Sequence, residues 1–207
     1  MSRRRLALAL AAIVLAVIAA LLASDLRGWR DAFAHDDLAF AASPRATPDW
    51  RASATLPGDP AAALLSVGGD RTLRTGVRLF EASYRTGLGF DSGVSRRRLR
   101  SAAEAVLARA AQDADPQRAS QAYDLAGILA FGESSSAGGS ASATDRAVTD
   151  LQTAVRLDPG NEDAKANLEL LLRLLVAHGV RPGPTAASGP RASGHRGAGS
   201  GTPGTGY

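Results

Sequence analysis

The chain has 207 residues, no cysteine, and 24 basic against 20 acidic side chains, with an isoelectric point near 10.3. Without cysteine there can be no disulfide, no thiolate metal centre and no thiol nucleophile, so an exported domain must be held by packing alone. The basic balance suggests a nucleic-acid partner, but Arg3, Arg4 and Arg5 lie at one end and Arg181, Arg191 and Arg196 at the other. Removing those six leaves 18 basic against 20 acidic residues over 6 to 179, so the part able to fold is slightly acidic and no nucleic-acid surface is expected.

Residues 6 to 23, LALALAAIVLAVIAALLA, form an unbroken apolar run without charge, Gly or Pro, long enough to predict a spanning helix. A secretory signal has the same order of regions but a shorter apolar core of about 7–15 residues, and cleavage after Ala23 would put Leu21 where a small side chain is wanted. Arg3 to Arg5 outnumber Arg27 and Arg30 across the span. That bias predicts a five-residue cytoplasmic stub (1 to 5), a single pass through the cell membrane, and an extracytoplasmic bulk. Residues 24 to 59 hold both tryptophans and three prolines before Gly58 and read as a juxtamembrane connector with one short helix around Asp25 to Phe33.

A helical domain is expected over 60 to 179. Pro60 opens a short helix stopped by Gly68-Gly69, and Asp70 caps a longer one in which Leu73, Val77, Phe80 and Tyr84 share a face. Ser95 begins the next, with Leu99, Ala103, Val106 and Ala110 on one side up to Asp115-Pro116. A third runs from Pro116 to Phe131, followed by a mobile loop over 132 to 144. Asp145 caps a fourth helix to Leu157, and Asn161 a fifth that ends at Gly179. Residues 180 to 207 are rich in Gly, Pro, Ser, Thr and Ala and read as a disordered tail, since they cannot offset their ordering entropy.

Ala147, Leu151, Ala154 and Pro159 follow one another at intervals of four, three and five. This pattern resembles the second helix of a tetratricopeptide (TPR) repeat, in which small residues let a neighbouring helix approach, a bulky one fills the groove and proline ends the helix. Asp158 and Asn161 supply the turn and the next cap, and Leu168 and Leu172 fall where that family has Leu and Tyr, while Lys165 replaces its Trp and Glu169 its Gly. Tyr123, Ala126, Gly127 and Ala130 occupy the corresponding slots one helix earlier, with eight extra residues before Ala147, and Ala111 and Pro116 are spaced to close an earlier repeat. The period then runs into Arg181, so the array stops half-way through a repeat and the upstream helices must cover its exposed side. The expected fold class is all-α: a transmembrane helix followed by a short TPR-like hairpin array of four to five helices.

The phrase LDPGNEDAKANLELLLRLL, within a similarity covering 116 to 178, also resembles TPR proteins encoded beside MoxR-type AAA ATPases and von Willebrand factor A proteins. That resemblance implies a membrane-bound scaffold working with those partners in maturation or envelope stress. The module is expected to bind protein rather than catalyse, without cofactor or metal, through the inner face of the 116 to 178 helices, where Tyr123, Lys165 and Glu169 offer polar specificity. Two other chemistries are available: His35, Asp36 and Asp37 could hold a metal or act as an acid–base cluster, and the run from Arg96 to Arg100 could bind an anionic surface. Adjacent side chains diverge in a helix, which weighs against the first.

Overall fold

A computed structural model describes residues 3–43, 48–85, 92–134 and 141–179. Among them there is no strand; seven helices follow in order, α1 (Arg3–Ala42), α2 (Pro60–Leu64), α3 (Val67–Arg85), α4 (Ser92–Ala110), α5 (Pro116–Ser134), α6 (Ala141–Leu157) and α7 (Glu162–Ala177). The protein is therefore all-α. The tail expected to be disordered and the centre of the 132–144 loop lie outside the described residues.

The first helix departs most from expectation. Rather than ending near the span, α1 continues for 40 residues, about 60 Å at 1.5 Å per residue. Its amino-terminal half is long and apolar enough to cross a membrane and is not covered by any other of the described residues. Its second half is amphipathic instead, with Asp25, Trp29 and Phe33 buried at four-residue intervals. The connector thus begins as the same rod and then folds back along it.

Helix starts differ from the expected ones for local reasons. The break before α3 falls at Leu65–Ser66, where Ser66 has φ +53°, and the helix then runs straight through Gly68-Gly69. Gly69 is needed there because a Cβ would come 2.0 Å from Asp113 Oδ2. Asp70 sits inside the first turn of α3 instead of capping it. Upstream, Asp59 caps α2 by accepting from the Ala62 amide (3.0 Å), with Pro60 in the first turn. On the far side, α5 reaches Ser134 and α6 starts at Ala141, one turn ahead of Asp145, because Ala143 is fully buried and extends the packed face.

Three apolar clusters succeed one another along the chain. The first joins Trp29 and Phe33 of α1 to Trp50, Ala61 and Val67. The second, between α3, α4 and α5, is built on Leu73, Ala103, Leu107, Ala122 and Leu129, with Val77 and Phe80 against it. The third, between α5, α6 and α7, holds Ala130, Ala147, Val148, Leu151, Leu171 and Leu175. Contacts fix the directions: Gly76 faces Leu107 and Gly69 faces Asp113, so α3 and α4 are antiparallel, while Ser120 meets Ala154 and Gly127 meets Leu151, so α5 and α6 are too.

At the joint after α6, Asp158 accepts from the Gly160 amide (2.8 Å) and Asn161 caps α7 by accepting from Ala164 (3.0 Å). The Asn161 amide also donates to Ser120 Oγ (2.9 Å), which donates to the Ala154 carbonyl (2.8 Å). One buried hydroxyl therefore ties α5, the end of α6 and the start of α7 together, giving the Ala154 carbonyl a second donor beside the Asp158 amide (3.0 Å).

A side chain at Gly127 would place its Cβ 2.8 Å from Leu151 Cγ and 3.2 Å from the Ala147 carbonyl oxygen. Gly127→Val should lower the unfolding free energy by roughly 2–3 kcal/mol through overpacking. Gly28→Ala, with nothing within 4 Å of the new carbon, should raise it by up to about 1 kcal/mol through helix propensity. Denaturant unfolding followed by circular dichroism reads both, and a Gly127 variant as stable as the parent would contradict the close crossing.

Candidate interaction surface

On its outer side α7 presents Leu168, Leu172 and Val176 at four-residue spacing, and with Val155 of α6 they floor an open groove of about 650 Å³. Lys165, Glu169 and Arg173 edge it. Among the described residues no helix follows α7 to cover this face, and Val176 is 74% exposed. Among the described residues the charged edge is engaged only within α7: Lys165 pairs with Glu162 (2.8 Å) and Glu169 with Arg173. Such exposed pairs stabilise by no more than about 0.5 kcal/mol each, so a partner can exchange them at little cost.

The structure thus brings Lys165 and Glu169 to one groove. Tyr123 is not among the residues lining it: it is half-buried on α5, whose contacts with α7 run through Ser120–Asn161 and through Asn167, which donates to Asp124 (2.9 Å). Burial pushes the Asp124 carboxyl up, with the Asn167 bond offsetting part of the effect. Burial also drives Asp150 of α6 up to about 6 against the nearby Arg146 charge.

The triplet His35, Asp36, Asp37 has a different occupation. Asp36 Oδ2 accepts from the Trp50 backbone amide (2.7 Å), and Asp37 Oδ1 accepts from the Trp50 indole (2.8 Å) and from Arg74 Nε (2.9 Å). His35 is exposed. Two adjacent carboxylates therefore seat one tryptophan, whose backbone is held at φ +45°, a left-handed conformation that costs a bulky residue about 1–2 kcal/mol. Nearer the apolar half of α1, Asp25 accepts from the Thr55 and Leu56 amides (3.0 Å each), and the Trp29 indole donates to Asp59 (3.1 Å). The segment returning from α1 is bonded to it at three successive levels.

From Asp37 a chain of ion pairs leads into the domain. Arg74 lies 4.5 Å over the Phe33 ring and pairs with Asp37 (2.9 Å) and Asp70 (3.7 Å). Arg118 at the start of α5 pairs with Asp70 (3.5 Å), Asp113 (2.9 Å) and Asp115 (3.0 Å). The hydrogen bond from Arg118 holds the Asp113 carboxyl below its usual range. Partial burial alone would raise Asp37, but Arg74 and the Trp50 indole outweigh it and keep that carboxyl low as well.

Comparison with family models, curated proteins and solved structures returns no match.

The arginine run is split by the fold. Arg97 and Arg98 are exposed, but Arg100 turns inward, donating to the Leu129 carbonyl and pairing with Glu104 (3.5 Å) near the Tyr84 hydroxyl. Sequence reasoning missed Asp25, Asp59 and Arg74 as anchoring groups. Their partners lie about thirty or more residues away, and the only local signal was the Asp25, Trp29, Phe33 spacing.

The two tryptophans are 5% and 3% exposed and both belong to this anchoring region, so intrinsic fluorescence reports it alone. The carboxyls of Asp37 and Asp113 are held low in the folded state, so their stabilisation is full above the ordinary carboxylate value of about 4 and is lost as pH falls through the folded values. Asp124 and Asp150 are held high and work in the opposite sense, favouring the folded state at low pH and losing that advantage as pH rises, for Asp150 through about 6. Acidification below about pH 4 should therefore red-shift the tryptophan emission before the helical circular dichroism is lost. Simultaneous loss of both signals would contradict this ordering.

Proposed function

We propose that the protein is a membrane-tethered, extracytoplasmic docking module of TPR type. In this reading α1 crosses the membrane with its amino terminus in the cytoplasm, and the groove between α6 and α7 takes up a segment of a protein partner. The observation that carries it is the uncovered row Leu168, Leu172 and Val176 with exchangeable charges along its edge. An apolar floor with a polar rim is the usual anatomy of a helix-accepting groove. Spacing in the Ala147–Pro159 helix supports the TPR assignment, and the resemblance of residues 116 to 178 supports von Willebrand factor A domain membrane proteins, acting with MoxR-type ATPases, as the partners. Among the described residues no group of three or more His, Asp or Glu side chains is placed to hold a metal ion, and the reading needs no catalytic chemistry.

Leu172→Glu in the full-length protein tests it. Leu172 is only partly buried, so the variant should keep its helicity and melting temperature. Co-purification of a von Willebrand factor A domain protein from solubilised membranes should fall about tenfold or more, as for a central apolar contact. Undiminished recovery with the variant would remove the groove from the interface, and recovery of no such protein with the parent chain would remove the partner.

A further inference from the structure

The crossing of α3 over α4 builds a second cleft, of about 350 Å³, on the flank of α3 beside the ion-paired chain, with Trp50 between the two. Arg71 and Arg78 of α3 and Arg109 of α4 line it, with Asp49 as its one carboxylate. Gly76 creates this convergence, since a Cβ there would stand 2.7 Å from Leu107 Cδ2 and hold the helices apart. The other arginines of the packed region, Arg74, Arg100 and Arg118, all pair with carboxylates. Among the described residues Arg71, Arg78 and Arg109 make no ion pair, and Arg78 Nε, like Arg100 Nε and Arg118 Nε, is shielded from solvent without a hydrogen-bond acceptor, but only Arg78 lacks a carboxylate on the rest of its guanidinium.

Three guanidinium groups against one carboxylate repel one another, and a buried N–H without an acceptor is an unmet demand for an oxygen atom. Both are relieved by an anion with several oxygens, for which planar guanidinium forks are well shaped. Gly68, in the first turn of α3, also lines the cleft and adds the positive end of that helix. We propose that the cleft bounded by Arg71, Arg78 and Arg109 binds a phosphoryl group. The group can come from a free phosphate compound or from the headgroup of an anionic lipid, because α2 and the start of α3 pack beside Trp29, close to the end of the apolar span. This site is separate from the α6/α7 groove and stands or falls independently of it.

The test uses full-length protein in nanodiscs and compares it with Arg71→Gln/Arg109→Gln and, as a control for general charge, Arg97→Gln/Arg98→Gln. Thermal unfolding is followed in phosphatidylcholine discs with added inorganic phosphate or pyrophosphate, and in discs containing phosphatidylglycerol without either. The parent protein and the control should be stabilised by pyrophosphate in a saturable way, by phosphatidylglycerol, or by both, which identifies the source. The cleft variant should lose about tenfold or more in apparent affinity. Without any anion it should unfold at a temperature no lower than the parent, since a merely structural role for these arginines would lower it. Stabilisation by neither anion, equal stabilisation of all three proteins, or a cleft variant that is destabilised without anion would each overturn the assignment.

Discussion

Trp50 seated on α1 is the contact on which the domain's position depends. Its ring is buried in one apolar cluster with Trp29 and Phe33, its indole and backbone amide are taken by Asp37 and Asp36, and those two bonds hold its backbone in the left-handed conformation. Burial of large side chains stabilises by about 1.5–3 kcal/mol each, whereas partly exposed ion pairs such as Asp37–Arg74 add about 0–1 kcal/mol. The tryptophans and Phe33 therefore supply most of the adhesion. The carboxylates choose which turn of α1 the returning chain meets. An apolar helix that merely ended at the membrane would leave the domain on a tether; here the rod itself is part of the first core cluster.

From that seat order passes outward through shared residues. Arg74 touches Phe33 and Asp37 on one side and Asp70 on the other, Arg118 joins Asp70 to the α4–α5 turn, and Ser120, two residues on, latches the α6–α7 joint. Each link is modest, but together they run from α1 through α3 and α5 to the α6–α7 joint, so the groove on α7 is held in a defined position relative to α1. Glycines at the two closest crossings, Gly76 and Gly127, let the hairpins pack at short range. Among the described residues no helix packs over the outer face of α7, and the groove is uncovered there.

Features governed by nearby residues could be read in advance. The apolar run over 6 to 23, the Ala147, Leu151, Ala154 face, the Pro159 break and the Asn161 cap all depend on spacings within one or two turns, and Lys165 and Glu169 could be placed beside Leu168 and Leu172 by helical phase alone. Features governed by distant residues could not. Nothing local says that Asp37 will meet Arg74, that Gly68-Gly69 will be absorbed into a helix because Asp113 fills the space, or that Arg100 will turn inward while Arg71, Arg78 and Arg109 converge. Nor does anything local show that Tyr123, half-buried on α5, lies apart from the groove that Lys165 and Glu169 line.

Hydrogen exchange in lipid nanodiscs gives the most direct measure of whether α1 and the domain are one body. Amides of residues 30 to 42 should be protected to the same degree as those of α3 and should exchange together with them, because breaking the Trp50 seat exposes both. Exchange of 30 to 42 at the rate of a free peptide, while α3 to α5 remain protected, would show a flexible tether and contradict the continuous rod.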